Sequence, residues 1–239
     1  DLSLRQLIGI GTQDLSVYGD LTARENLRFF GKLYGLRGRE LEQRVEEVLE
    51  LTALQEKAEQ WVKTFSGGMK RRLNLGVAVL HRPKILYLDE PTTGVDPQSR
   101  NHIFEQVKAL NAQGLTVIYT SHYMEEVQAL CPRIAIMDYG KVIACDSLSN
   151  LLHLLNGTLK IRVADQGSAV EEKLAKLPNV KIQRTGANEF TLEGSDVTAL
   201  SLQAIAVLRE MNIELTGLEK HEPTLERVFL HLTNHVVRD

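Results

Sequence analysis

The sequence predicts an α/β fold with a parallel sheet and a helical subdomain, followed by a small α+β domain. Three observations carry this. Apolar stretches recur at LIGI (7–10), ILYL (85–88) and TVIYT (116–120), with helical patterns between them; such alternation implies a parallel sheet covered on both faces. From Leu21 to Ala58 the pattern is helical and charged, and a third helix follows Gly68. After Asn156-Gly157 the order becomes strand, helix, strand, strand, helix, strand, the ferredoxin-like βαββαβ arrangement. These readings give domains at 1–157 and 158–239, with a helical subdomain at about 21–80.

LIGI reads as a short buried strand ending at Gly11 and Gln13. In TARENLRFFGKLYGL, Thr22 is an N-cap with Glu25 three residues later, a capping box. RELEQRVEEVLELTAL puts Leu41, Val45, Val48, Leu49 and Leu51 on one helical face. Trp61 is expected to pack into this helical region. A third helix follows Gly68, a fourth runs from Gln98 to Asn111, and YMEEVQAL (123–130) forms the next. RIAIMD (133–138) reads as a further strand of the set, and DYGK (138–141) as a tight turn into VIACD. Beyond residue 157, TLKIRVA, VKIQRT, EFTLEG and IELTGLEK are strands, while AVEEKLAKL and VTALSLQAIAVLREM are helices. A terminal helix, EPTLERVFLHLT, carries Pro223 near its first turn.

The 239 residues, 43% hydrophobic and 25% charged, are those of a soluble globular protein. A net charge of −3 gives no strong field for nucleic acid or an anionic membrane. The longest apolar run, Leu75 to Leu80, is broken by Gly76 and far too short to span a bilayer. The N-terminal residues show no signal-peptide pattern. Cys131 and Cys145 lack metal-ligand spacing, which fits a reducing, cytoplasmic setting.

The stretch FSGGMKRRLN (65–74) opens a helix with a serine and two glycines. Each glycine costs a helix interior about 1 kcal/mol relative to alanine. In return, the first-turn N–H groups stay open to an anion, favoured there by the positive end of the dipole. The stretch therefore suggests a phosphate. In KILYLDEPTTGVDP (84–97) a buried strand delivers Asp89 and Glu90 at its carboxyl end, where open α/β sheets bind ligands. Asp89 suits Mg²⁺, a hard cation with oxygen ligands, and Glu90 suits activation of a water. The plain alternative is a strand end with two solvated acids. His122 leaves the next strand in TVIYTSHYMEE, and Gln13 follows the first; alone, each fits a structural or exposed loop residue. Three consecutive cations, KRR at 70–72, point in different directions and read as a solvated face rather than a nucleic-acid patch.

Gln13, SGG at 66–68, ILYLDEP, GVDP and TSH, in this order, closely resemble the ATP-binding cassette of ABC transporters. The resemblance covers residues 1–150 almost without gaps. EPTLERVFLHLT and LTARENLRFFGKLYGL are similar to the ATPases that serve ABC-2-type exporters. The resemblance implies a P-loop NTPase-like fold that binds ATP and Mg²⁺ and hydrolyses ATP to drive transport through a separate membrane permease. It also implies a head-to-tail dimer with a second ATPase subunit and a peripheral place on the cytoplasmic face of the membrane. Residue by residue, Asp89 would support Mg²⁺, Glu90 would act as general base, and His122 would contact the γ-phosphate. Gln13 would link the metal site to the membrane partner. Ser66, Gly67 and Gly68 would bind the γ-phosphate of ATP held by the opposite subunit, and Asp96 would lie across that interface.

Three departures stand against the pattern. Phe65 replaces the usual leucine before the signature, and Val95 replaces the leucine of Gly-Leu-Asp. No G-x-x-x-x-G-K-[ST] stretch occurs; Lys32 and Lys141, each preceded by glycine, lack the rest of it. Gln13 stands too near Asp1 for the loop to precede it here, so a longer chain carrying the loop is expected, with 1–239 inactive by itself. Two other readings remain open: a non-transport ABC ATPase of DNA repair or translation, and a regulatory module that docks a permease without hydrolysis.

Overall fold

A computed structural model describes residues 2–164 and 168–233. The chain divides between Cys131 and Pro132 into two compact units. In the first, α1 (Leu2–Arg5) leads to β1 (Ile8–Gly11), followed by α2 (Ala23–Leu33), α3 (Gly38–Leu51) and α4 (Gly67–Val79). Then come β2 (Ile85–Asp89), α5 (Pro97–Ala112), β3 (Thr116–Thr120) and α6 (Met124–Leu130).

Strands β1, β2 and β3 form a parallel sheet in that order. Leu86 and Leu88 of β2 pack against Leu75, Ala78 and Val79 of α4 and Ile103, Val107 and Leu110 of α5. Ile10, Tyr87 and Ile118 lie side by side across the three strands on the other face, where they are 59%, 40% and 41% exposed. Within this unit α4 and α5 therefore cover one face, not two. The reason is topological. Strand order 1-2-3 advances in a single direction, and right-handed crossovers then fall on the same side.

The helical subdomain forms as its pattern predicts. Thr22 Oγ1 accepts the Glu25 N–H at 3.1 Å, and Glu25 Oε2 accepts the Thr22 N–H at 2.8 Å, completing the capping box. Leu27, Leu41, Val45, Val48, Leu49 and Leu73 share one core, while Leu51 turns toward the sheet core instead. Arg44 closes the end of α4, donating to Leu80 O at 2.8 Å and Val79 O at 2.7 Å. Glu47 accepts from both Arg44 and Arg82 at 2.9 Å. Trp61 departs from expectation: it is 53% exposed, with Lys63 Nζ 4.0 Å from the ring centroid. Its neighbours Val62 and Phe65 take the core positions.

In the second unit, β4 (Ile134–Asp138) and β5 (Lys141–Asp146) pair antiparallel, followed by α7 (Leu148–Leu152). The predicted parallel strand at 133–138 is thus one arm of a hairpin. Tyr139 (φ 44°) and Gly140 (φ 74°) are both left-handed, the backbone of a two-residue hairpin turn whose twist matches its strands. Next are β6 (Gly157–Val163), α8 (Ser168–Leu174), β7 (Lys181–Arg184), β8 (Glu189–Gly194), α9 (Val197–Glu210), β9 (Leu215–His221) and α10 (Leu225–Thr233). The sheet order β7-β8-β6-β9, with antiparallel pairs throughout, is the ferredoxin-like one. Residue 157 marks the start of β6, while α10 packs on α7 and groups the preceding segment with this unit.

Candidate active site

Parallel strands end on the same edge of a sheet, so the residues after β1, β2 and β3 converge there. The Glu90 carboxylate is the meeting point. Its Oε1 lies 3.2 Å from His122 Nδ1, and its Oε2 accepts Gln13 Nε2 at 3.1 Å and Thr93 Oγ1 at 3.1 Å. Three strand-end loops are therefore joined through one side chain. The Glu90 backbone is left-handed, with φ 44°, a strained state for any residue but glycine. Its N–H donates to Thr120 O at 3.1 Å and Thr120 Oγ1 at 3.2 Å.

Asp89 behaves differently. It is exposed, and its Oδ1 accepts the Thr120 hydroxyl at 2.6 Å. One exposed carboxylate suits Mg²⁺, which retains waters and shares phosphate oxygens rather than demanding a protein cage. Among the described residues no three His, Cys, Asp or Glu side chains converge on a point. Consecutive residues at the end of β2 thus differ: Asp89 is exposed with one hydroxyl donor, whereas Glu90 is held by side chains from three loops.

A second cluster forms at the start of α4. Ser66 is the N-cap, and its Oγ accepts the Met69 N–H at 3.2 Å. Its carbonyl accepts the Lys70 N–H at 3.0 Å. Helix geometry leaves the Gly67 and Gly68 N–H groups for an outside acceptor. The two glycines differ. A Cβ on Gly67 meets only Gly94 O at 4.0 Å, whereas a Cβ on Gly68 would lie 2.1 Å from Ser99 Oγ and 3.2 Å from Asp96 Oδ2. Gly67 is open to a ligand; Gly68 is a packing glycine. Asp96 caps α5, accepting the Ser99 N–H at 2.9 Å, and that backbone bond holds its carboxyl below the usual range.

Several side chains missed by sequence reasoning support these parts. Arg71, expected on a solvated face, instead donates to Gln13 O, Thr12 O and, at 3.4 Å, Thr93 O. Partial burial lowers its pKa. Arg72 likewise turns inward, donating to Thr52 O at 2.8 Å. The KRR run is therefore not a solvated patch, because α4 is buried on most of its circumference. Asn74, also on α4, accepts the Ser16 N–H at 3.0 Å and so fixes the loop that carries Gln13. A further missed residue, Glu126, is 2% exposed. Its signal was faint, an acidic pair opening a short helix.

The sequence matches the ABC transporter family over residues 2–93. It is 45% identical over 240 residues to the linearmycin resistance ATP-binding protein LnrL of Bacillus subtilis (strain 168), covering 98% of this chain and 77% of that one. The chain belongs to the ABC transporter ATP-binding family. This ABC cassette is also 35% identical over 237 residues to the Nod factor export ATP-binding protein I of Paraburkholderia xenovorans (strain LB400), covering 98% of this chain and 75% of the relative. A solved ATP-binding subunit of an ABC transporter matches its structure with a TM-score of 0.57 and 25% identity, over 64% of each chain. The ABC cassette has the P-loop NTPase-like α/β fold of that family.

Proposed function

We propose that this chain is the ATP-binding, ATP-hydrolysing subunit of an ABC exporter, acting in a head-to-tail dimer beside an ABC-2-type permease. The observation that carries the reading is Glu90 held between His122 at 3.2 Å and Gln13 at 3.1 Å. A carboxylate so fixed is placed to take a proton from an attacking water, with the imidazole as its neighbour. Asp89 would hold Mg²⁺, which when bound neutralises charge on the transferring phosphoryl group. Gly67 and Gly68 N–H groups would bind the phosphate presented by a second subunit. Relatives named for linearmycin resistance and Nod factor export support the export direction.

The permease contact is assigned to the aromatic surface of the helical subdomain. Tyr18 lies 5.2 Å from Phe29 and 5.9 Å from Phe30, with Leu15, Leu33 and Trp61 also exposed. Asn26 anchors Tyr18 by accepting its N–H at 2.8 Å. Because Arg71 grips Gln13 O, movement at this surface has a short route to the Glu90 site. No helix among the described residues is long and apolar enough to cross a membrane, so association with the cytoplasmic face of a membrane would run through the permease.

ATP hydrolysis by the cassette supplied with a G-x-x-x-x-G-K-[ST] loop tests the reading. Glu90→Gln is expected to slow turnover by about 10²–10⁴-fold while ATP still binds, the loss typical for a general base. Turnover close to the parent rate would reject it.

A further inference from the structure

Glu126 on α6 is buried, yet it makes no ion pair among the described residues. Its carboxylate accepts the Thr92 hydroxyl at 2.7 and 2.8 Å, the Tyr119 hydroxyl at 2.9 Å and the Ser121 hydroxyl at 2.9 Å. A buried carboxylate is tolerated only when its oxygens are satisfied, and here each partner is a donor. Burial, then the nearby Glu126, pushes the Tyr119 hydroxyl up, which keeps it a donor.

The partners are not scattered. Thr92 lies two residues beyond Glu90, and Ser121 immediately precedes His122. Ser121 Oγ also accepts the Tyr123 N–H at 3.0 Å, turning the β3 loop. On the β2 loop, Thr93 N–H reaches Glu90 O at 3.2 Å and Val95 N–H reaches Thr92 O at 3.2 Å. Anchoring Thr92 therefore fixes the turn in which Glu90 is left-handed.

We propose that Glu126 is a positioning residue, a single buried carboxylate that locks the Glu90 loop to the His122 loop. By holding Thr92 and Ser121 at once, it keeps the two side chains at hydrogen-bond distance and sustains the strained Glu90 backbone. The proposal rests on reading Glu90 and His122 as the hydrolytic pair, but its geometry does not depend on nucleotide.

Amide hydrogen exchange on chain 1–239 tests it. Thr92→Val, on one loop, is expected to speed exchange of the Tyr123 amide on the other by about tenfold, the factor a lost charged hydrogen bond carries at the low end. Ser121→Ala is expected to do the same at Thr93 and Val95. Glu126→Gln speeds all three, and neither hydroxyl substitution then adds to it. Amides of Leu49 and Val77 in the helical core keep their rates throughout. Effects confined to the substituted loop, or exchange raised everywhere alike, overturn the link. Should Glu126→Gln fail to fold, the two hydroxyl variants decide the matter alone. If the link holds and Glu90→Gln hydrolyses ATP at the parent rate, the hydrolytic reading fails while the positioning role stands.

Discussion

A side chain on Gly68 would collide with Ser99: an ideal Cβ there falls 2.1 Å from the Ser99 hydroxyl oxygen. α4 and α5 therefore touch through a glycine, while a Cβ on the preceding Gly67 would meet only Gly94 O at 4.0 Å. The pair is chemically identical but has two jobs. Gly68→Ala is expected to destabilise the fold by about 1–3 kcal/mol through overpacking. Gly67→Ala is expected to leave stability level or slightly raised, since alanine favours helix. Urea unfolding of both variants checks this, and equal midpoints would show the distinction to be false.

Arg71 is expected to matter more than either neighbouring cation. Its guanidinium spans the Gln13 loop and Thr93, so Arg71→Ala removes several bonds to carbonyl groups. The expected loss is about 1–3 kcal/mol. Arg71→Lys does not restore it, because one ammonium lacks the planar fork that reaches both loops. Thermal unfolding of Arg71→Ala, Arg71→Lys and Lys70→Ala ranks them; an unchanged Arg71→Ala would demote the residue to a surface cation.

Acid is expected to weaken the α3–α4 contact through Glu47. The hydrogen bond from Arg82, then that from Arg44, lowers its carboxyl from 4.5 to about 2. The unfolded chain therefore takes up the proton first. Stability from this site is complete above the unfolded value of 4.5 and is lost as pH falls toward about 2. Glu47→Gln is expected to flatten the fall of the urea midpoint between about pH 5 and pH 2. Parallel curves for parent and variant would remove Glu47 from the account.

Residues 1–239 contain no G-x-x-x-x-G-K-[ST] stretch. Such a loop supplies converging backbone N–H groups and a lysine ammonium to the β- and γ-phosphates. Doing without about three charged hydrogen bonds costs about 5–9 kcal/mol, and each 1.4 kcal/mol is about tenfold in affinity. Calorimetric titration of 1–239 with Mg-ATP is expected to give a flat trace, whereas a clear micromolar isotherm would refute the estimate.

What was legible in the sequence follows the range of the interaction. The capping box at Thr22 and Glu25 is local, and it forms as read. The strand ends at Gln13, Asp89, Glu90 and His122 were legible because short apolar runs end abruptly at polar residues. Trp61, Arg71 and Glu126 were not, since each depends on what another segment brings to it. Periodicity cannot show that Thr92, Tyr119 and Ser121 surround one carboxylate. Nor does it show that Ser99 stands over Gly68. Strand 133–138 was recognised as a strand, but its partner was set by two consecutive left-handed residues at 139 and 140.

The position of β6 in its sheet has a kinetic consequence. β6 lies between β8 and β9, so the first strand of this four-stranded sheet is flanked by two later ones, and Thr158 is paired with His221. A nascent chain therefore emits the middle of this sheet long before the strands that border it. Distant pairings of this sort must pay for loop closure before they are rewarded, and they fold slowly. While the ribosome is still translating residues 164–188, the apolar face of β6, carrying Leu159, Ile161 and Val163, has neither neighbour. Pausing within that interval is expected to prolong exposure of an aggregation-prone edge, whereas a pause after residue 221 leaves the strand already enclosed.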